Sequence, residues 1–333
     1  MKDFVSIIIP VYNEEKYIDI CINSILNMDY DKENLEIIFV DGGSEDRTLD
    51  IIKDYMVKFD NIKFIVNERK IVPISMNRGI DAAKGNLIMR LDAHSEYPKD
   101  YISKLVYWKR KLKADNVGAV CETKIRNENK KSVAISKVLS NKFGVGNGLF
   151  RTGVSEVTEV DTVPFGLYDK EILIKLNGYN EKLIRNQDIE LNSRLRKSGG
   201  KIFLVPDVKF TYYSRENYKK LCENNFQNGL WNIVMMAYSK NKNSLSIRHF
   251  IPLVFILSLL IPIFLSFLNW RFILIAILSI SLYFILIGLV SINLKDKNTD
   301  IKHIIWAFIC LHFSYGLGSL VGIMKFLKIK IGG

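Results

Sequence analysis

The chain has 333 residues, with 47 Lys and Arg against 35 Asp and Glu, a formal net charge of +12, and 48% hydrophobic content. That length allows one large domain with an appendage or two ordinary domains. The basic balance points to membrane surfaces or phosphate-rich ligands, and the lack of an Arg/Lys stripe interleaved with aromatic residues argues against a nucleic-acid partner.

The first residues, Met1 to Phe4, lead straight into an apolar run without the core and cleavage site of a secretory signal, so the domain beginning there is expected in the cytoplasm. Val5–Val11 is too short for a helix and is bounded by Pro10 and Asn13, which predicts a parallel strand buried on both faces. Asn13 is a good N-cap for a helix on which Ile18, Cys21, Ile22 and Ile25 share a face. Residues 35–40 read as a second buried strand ending at Asp41-Gly42-Gly43-Ser44, and Leu49, Ile52, Met56 and Phe59 mark the core face of the next helix. Ile62–Val66 predicts a third strand, 71–83 a helix, and 86–91 a fourth strand that stops at Asp92-Ala93-His94. Repeated β-α units of this kind imply an α/β fold with an open, mostly parallel sheet and helices on both faces, and ligands in such folds bind beyond the carboxyl ends of the strands. Residues 117–125 and 202–205 read as further strands, and Gln187-Asp188 opens a helix whose apolar face includes Leu191 and Leu195.

The four cysteines, Cys21, Cys121, Cys222 and Cys310, are too scattered for a CxxC or Cys/His metal set and read as reduced, buried thiols. From Phe250 onward the character changes. The runs 250–268, 272–292 and 304–324 contain no Asp, Glu, Lys or Arg, and each approaches the ~20 residues that cross a bilayer core. Pro252, Pro262, Gly316, Gly318 and Gly322 are tolerable there and suit kinked or closely packed helices. The expected division is a catalytic domain over 1–215, an interfacial helical linker over 216–248 and a membrane domain over 249–333. Lys240, Lys242 and Arg248 precede the first run and Lys295, Lys297 and Lys302 separate the second from the third, which fits a cytoplasmic location for both segments. The tail lysines, Lys325, Lys328 and Lys330, then lie outside after three crossings, unless the Gly-rich third run is re-entrant.

Acids at the strand ends are the candidate chemistry. Asp92 and His94, two apart in an extended segment, point to one side and suit Mn²⁺ or Mg²⁺; a turn with a solvated imidazole explains the same residues. Asp41 stands where glycines let a planar ligand approach, and its carboxylate can accept a pyrimidine N–H; it serves equally to start a turn, with Ser44 capping the following helix. Glu14 is ambiguous in the same way, since an acid in a first helical turn complements the dipole. Asp188 is a candidate general base, or simply an N-cap, and Glu190 with Arg194 reads as an i,i+4 surface pair. Gln227 and Trp231, ahead of the first apolar run, either line an acceptor groove or sit in the lipid interface.

Read together, the stretches Ser6-Ile-Ile-Ile-Pro-Val-Tyr-Asn-Glu14, Val40-Asp-Gly-Gly-Ser-Glu-Asp-Arg-Thr48, Asn77-Arg-Gly79, Arg90-Leu-Asp-Ala-His94, Tyr97-Pro98, Asp161-Thr-Val-Pro-Phe-Gly166 and Gly178-Tyr-Asn-Glu181, followed by Asn186-Gln-Asp-Ile-Glu-Leu-Asn192, resemble family 2 glycosyltransferases of the GT-A fold. The likeness is to the membrane-linked, succinoglycan-biosynthesis-type branch and covers nearly the whole chain. It implies an inverting hexosyltransferase that moves a sugar from a nucleotide-diphosphate donor, a UDP-sugar by expectation, to a lipid-linked or polysaccharide acceptor at the cytoplasmic membrane face. By the same resemblance Pro10, Tyr12, Glu14, Asp41, Asn77, Arg90 and Asp92 bind the nucleotide sugar, and Asp92 and His94 hold the divalent cation. Asp188 is the base, and Gln187, Gln227 and Trp231 belong to the acceptor groove. His94 replaces the second Asp of the general Asp-x-Asp motif, and the family's Gln-x-x-Arg-Trp is matched only loosely by Gln227 and Trp231, which favours single addition over processive synthesis. A membrane transporter or channel subunit with a nucleotide-binding domain is the alternative; it predicts ionisable groups within the apolar runs, where only His312 occurs. A dinucleotide-dependent dehydrogenase is disfavoured, because no G-x-G-x-x-G follows the first strand.

Overall fold

A computed structural model of the chain describes residues 3–214, 216–239 and 245–331. Two of the lysines used above for orientation, Lys240 and Lys242, lie outside the described residues. The chain divides into two compact units, Met1–Glu122 with Thr152–Tyr212, and Thr123–Arg151 with Tyr213–Gly333. The excursion of 123–151 into the second unit has no signature in the sequence boundaries at 215 and 248.

The first unit begins with β1 (Val5–Val11), α1 (Ile18–Leu26), β2 (Leu35–Asp41), α2 (Thr48–Met56), β3 (Ile62–Val66), α3 (Val72–Ala82) and β4 (Leu87–Arg90). The strands β3, β2, β1 and β4 lie side by side in that order, all parallel, with Ile8 of β1 opposite Ile38 of β2 and Arg90 of β4. β1 and β2 are apolar on both faces because helices cover both, as the unbroken hydrophobic runs require. Next come β5 (Ser95–Glu96), α4 (Tyr101–Leu112) and β6 (Asn116–Lys124). After the excursion, which carries α5 (Lys130–Leu139), α6 (Lys142–Val145) and α7 (Leu149–Thr152), the chain forms β7 (Thr158–Glu159), β8 (Leu167–Asp169), α8 (Lys170–Lys175), α9 (Gln187–Lys197) and β9 (Ile202–Tyr213). The sheet continues β4-β8-β6-β9-β5, and here β4–β8, β8–β6 and β9–β5 pair antiparallel. The sheet is therefore mixed, with its parallel half carrying the strand ends singled out above. The predicted strand over 202–205 extends to Tyr213, since Pro206 is accommodated within the long strand.

The second unit is helical: α5 to α7, α10 (Tyr218–Tyr238), α11 (Ile251–Leu265), α12 (Ile273–Leu294) and α13 (Ile301–Ile331). Its core gathers Ile135 and Val138 of α5, Leu221 of α10, Tyr283 and Ile287 of α12, and Ile304, Phe308 and Leu311 of α13. Two segments, Trp270–Leu294 and Ile301–Ile331, are long and apolar enough to cross a membrane. The first apolar run forms a helix of 15 residues, about 22 Å of rise against a hydrocarbon core of about 30 Å. The third run is one unbroken helix of 31 residues, so it is not re-entrant; such a loop needs a break that α13 lacks. Glycines set how α13 packs. A Cβ on Gly318 would stand 2.0 Å from the Phe226 carbonyl oxygen and one on Gly229 would stand 2.1 Å from that of Tyr315, so α10 and α13 touch backbone to backbone.

Beneath the parallel half, Glu36 on β2 is 2% exposed and gathers three donors. Ser6 Oγ donates to Oε1 at 2.6 Å, the Lys84 N–H to Oε1 at 2.5 Å, and Lys63 Nζ to Oε2 at 2.8 Å, while Ser6 Oγ itself accepts the Gly85 N–H at 2.8 Å. Burial pushes the Glu36 carboxyl up, but the bonds from Lys63, Ser6 and Lys84 prevail and hold it below its ordinary 4.5. A depressed carboxyl stabilises the fold above its unfolded value and loses that contribution as pH falls toward its folded value. Glu36→Ala is expected to destabilise the protein by about 1–3 kcal/mol, the cost of leaving the buried Ser6 hydroxyl and the Lys84 N–H without their acceptor and the half-exposed Lys63 without its counter-charge. Thermal melts in detergent should also show that Glu36→Gln flattens the loss of stability below pH 4.5; an unchanged profile would assign acid sensitivity elsewhere.

Candidate functional site

Parallel pairing of β1 with β2 sets Val11 opposite Asp41, so both strands release the chain at one edge. Pro10 sits past the last β1–β4 pair, where its missing N–H leaves no gap in that ladder. Asn13 then takes a left-handed conformation, φ 56°, and does not cap α1. Its N–H donates to Ser44 Oγ at 2.9 Å and its Oδ1 accepts the Glu45 N–H at 2.8 Å, tying the exit of β1 to that of β2. The Glu14 N–H donates to Thr48 Oγ1 at 2.7 Å. Asp41, 2% exposed, accepts from the Gly43 N–H at 2.9 Å, the Ser44 N–H at 3.0 Å and Ser44 Oγ at 2.5 Å. Its carboxylate thus shapes the Gly42-Gly43-Ser44 turn. Ser44 does not cap α2, whose N-cap position is Arg47 without a side-chain bond; Asp46, one residue earlier, accepts the Thr48 N–H at 3.0 Å. Beside this turn the Tyr12 ring is 45% exposed, and Lys70 Nζ lies 5.1 Å from its centre. Lys70 carries no motif, and only the fold brings it here.

β4 delivers the centre of the site. Arg90 is 8% exposed; one terminal nitrogen donates to both oxygens of Asp188, at 2.8 and 2.9 Å, and the other to Asp92 Oδ1 at 3.1 Å. The guanidinium stands 5.7 Å from the centre of the Phe165 ring, within a cluster that includes Tyr97, Tyr101 and Phe210. Burial opposes the charge on Arg90, but Asp188 and Asp92 outweigh it and keep the group protonated. Asp188 lies in the first turn of α9, one residue past its first position, and is not the N-cap; that is Asn186 at φ 59°. Burial raises the Asp188 carboxyl from its ordinary value, Arg90 pulls it back and Asp92 adds to the rise. Its side chain keeps 26% exposure, so a ligand can reach it.

The pair Glu190 and Arg194 is not on the surface: Glu190 is 2% exposed and Arg194 Nη2 lies 2.8 Å from its Oε2. Arg194 also donates to the carbonyls of Leu176 and Gly178, which fastens α9 to the turn ahead of it. Asn77 secures the same turn from α3. Its Nδ2 donates to the Tyr179 carbonyl at 2.9 Å and to Glu181 Oε1 at 3.0 Å, and its Oδ1 accepts the Tyr179 N–H at 2.7 Å. Gly178, at φ 62°, leaves room for Asn77, since a Cβ would come within 2.4 Å of Asn77 Oδ1.

The segment after β4 turns over Ala93 and His94 instead of running extended, so strand periodicity does not align Asp92 with His94. Glu14 Oε1 lies 3.6 Å from His94 Nδ1 and orients the ring. Among the described residues no hydrogen bond reaches Asp92 Oδ2, and no group of three or more His, Cys, Asp or Glu side chains gathers to hold a metal ion. The residues present fit a cation held by at most two side chains, with phosphate oxygens and water filling its other positions. Gln187, 7% exposed, opens α9 next to Asp188. Gln227 and Trp231 belong to the second unit, on α10; Trp231 is 7% exposed with Lys325 Nζ 4.8 Å from its ring centre, so it does not present its ring to a lipid interface. All four cysteines are free, three of them buried.

Residues 6–176 match the family described as Glycosyl transferase family 2. The chain is 33% identical to the dolichyl N-acetyl-α-D-glucosaminyl phosphate 3-β-D-2,3-diacetamido-2,3-dideoxy-β-D-glucuronosyltransferase of Methanococcus voltae, over 68% of this chain and 72% of that one. It is 30% identical to the succinoglycan biosynthesis protein ExoA of Rhizobium meliloti, over 63% of each chain. Among solved structures, a mannosyltransferase of Pyrobaculum calidifontis in complex with GDP-Man and Mn²⁺ superposes with a TM-score of 0.62 at 14% identity, covering 96% of this chain and 88% of that one. At that identity the likeness shows the fold, GT-A, and nothing finer.

The Asn77 clamp predicts a structural phenotype. Asn77→Ala should lower stability by about 1–3 kcal/mol through donors and acceptors left without partners, read as a lower melting temperature of the purified protein. A melting temperature equal to that of the parent would show that the turn before α9 holds without Asn77.

Proposed function

The chain belongs to glycosyltransferase family 2 and transfers a sugar from a nucleotide-sugar donor, and on that premise we propose that it is an inverting hexosyltransferase in which Asp188 is the general base. The observation that carries this is the shared guanidinium of Arg90, which joins Asp188 to Asp92 within one charge cluster at the strand ends. In the proposed step the acceptor hydroxyl gives its proton to Asp188 as its oxygen attacks the anomeric carbon, and the bond from that carbon to the diphosphate breaks on the opposite face. One carboxylate suffices for such an in-line displacement. A raised Asp188 carboxyl is a stronger proton acceptor than an ordinary aspartate, and Arg90 keeps it ionised and aimed. Asp92 and His94 are the residues that would hold a divalent cation, Mn²⁺ by preference for the imidazole, which when bound supplies positive charge to the leaving diphosphate.

The donor is of the uridine type, its base lying on Tyr12 beside the turn that Asp41 fixes. The acceptor is a lipid-linked glycan, supported by the Methanococcus voltae relative, whose name gives a dolichyl phosphate sugar as its substrate. The two long apolar helices anchor the enzyme in the membrane with the catalytic unit on the cytoplasmic side. A transporter subunit has no support, because residues 6–176 match a transferase family.

Membranes containing Asp188→Asn protein should bind labelled UDP-sugar as the parent does and lose transfer by about 10²–10⁴-fold, the usual contribution of a general base. Turnover within a few-fold of the parent would remove Asp188 from that role. EDTA should abolish transfer and Mn²⁺ restore it; indifference to chelation would count against a cation at Asp92 and His94.

A further inference from the structure

Within the second unit, an open cleft of about 470 Å³ is lined by Asn141, Lys142, Phe143, Val290, Asn293 and Leu294. Deepening the lipid-acceptor proposal and resting on it, we propose that this cleft binds the phosphate and the first apolar units of a lipid phosphate, the carrier end of the acceptor. The cleft brings two chemistries together, both of them present on each of its walls. Lys142 and the amides of Asn141 and Asn293 are polar, whereas Phe143, Val290 and Leu294 are apolar. Among the described residues Lys142 has no ion pair, so its charge is available to an anion.

The walls are pre-organised. The Asn141 side chain accepts the Phe143 N–H at 2.8 Å, and the His312 ring, through Nε2, bonds the Phe143 carbonyl at 3.0 Å. The Phe143 ring packs edge-on against Phe308, 5.5 Å away. These contacts fix α6 on α13. On the other wall, the carboxyl end of α12 carries negative partial charge that repels an anion. Lys137 offsets it: Nζ donates to the Leu294 carbonyl at 2.6 Å and pairs with Asp296 at 2.6 Å, which also neutralises the nearest acid of the following loop. Lys295 and Lys297 follow in that loop without ion pairs among the described residues.

The apolar surface continues from the cleft along α12. Leu282 and Leu286 precede Val290 and Leu294 at successive turns of α12, 53% and 41% exposed, within a helix whose apolar side chains are exposed on most of its sides, so hydrocarbon can lie along it from the cleft. A chain whose phosphate meets Lys142 can lay its hydrocarbon on the exposed apolar side of α12. A free phosphate has no use for the apolar track, and a neutral lipid has none for the lysine.

The test uses purified full-length protein in phosphatidylcholine nanodiscs with radiolabelled polyprenyl monophosphate as probe. Saturable binding is expected, weakened about tenfold or more by Lys142→Glu and kept by Lys142→Arg. Neutral polyprenol and phosphatidylglycerol should compete poorly. Because Lys142 is exposed, an unchanged melting temperature will certify the variant fold. Binding unaltered by Lys142→Glu overturns the proposal, and so does phosphatidylglycerol that competes as well as the probe, since the cleft is then a bulk headgroup site. Lys142-dependent binding with transfer only to soluble sugars would keep this site and remove the lipid-acceptor function. Transfer to a lipid-linked acceptor with Lys142-independent binding would do the reverse.

Discussion

Two carboxylates from distant parts of the chain share one buried guanidinium, and the catalytic unit is organised around that fact. A buried arginine without counter-charge costs several kcal/mol, and two neighbouring aspartates without a cation repel one another. Each of the three groups is therefore stable only because the other two are present. Arg90 and Asp92 come from the end of β4, and Asp188 comes from the first turn of α9, so the ion cluster also fastens α9 to the sheet. The aromatic floor of Phe165, Tyr97 and Phe210 excludes water beneath Arg90 and strengthens these interactions. Phe165 adopts φ 51°, an unfavourable conformation for a bulky residue, and the surrounding packing is what maintains it.

Around this cluster, the chain devotes its polar side chains to fixing loops. Asp41 holds its glycine turn, Asn13 joins two strand exits, and Asn77 and Arg194 grip the turn ahead of α9 from opposite sides. Several residues that the motifs suggest as ligand contacts are thus part of the frame that aims other groups. Rigid support of this kind is what a transfer reaction needs, because misplacement of a base by about 1 Å can cost about 10²-fold in rate. The second unit adds a further device. There α10 and α13 associate through glycines that admit backbone contact, and side-chain bonds such as Asn232 to the Tyr315 hydroxyl and Tyr218 to His303 join the two helices.

Much of the parallel half was legible in the sequence because burial on both faces forces unbroken apolar runs, and such runs end where the chain leaves the sheet. β1 and β3 fall on the predicted residues, and β2, α3 and β4 within one or two residues of them. The antiparallel half was less visible: β8 has three residues and β7 two, too few for a period to show. Candidate acids were found by position at strand ends, but their partners were not. Asn13, Ser44 and Asp188 all have helix-capping chemistry, yet none caps its helix, because tertiary hydrogen bonds and ion pairs offered better partners. Glu190 and Arg194 keep the i,i+4 spacing of a surface pair but face the core, since spacing sets who can meet and not where the helix faces.

The sequence by itself determined the alternation of strands and helices, the apolar helices of the last quarter and the identity of the strand-end acids, because these follow from local periodicity and composition. Only the tertiary structure decided that Arg90 binds Asp188, 98 residues away, that Lys70 stands over Tyr12, and that 123–151 belongs with the C-terminal helices. Those are consequences of strand order and helix packing, in which the energy of burying a charge is set by what the fold brings beside it.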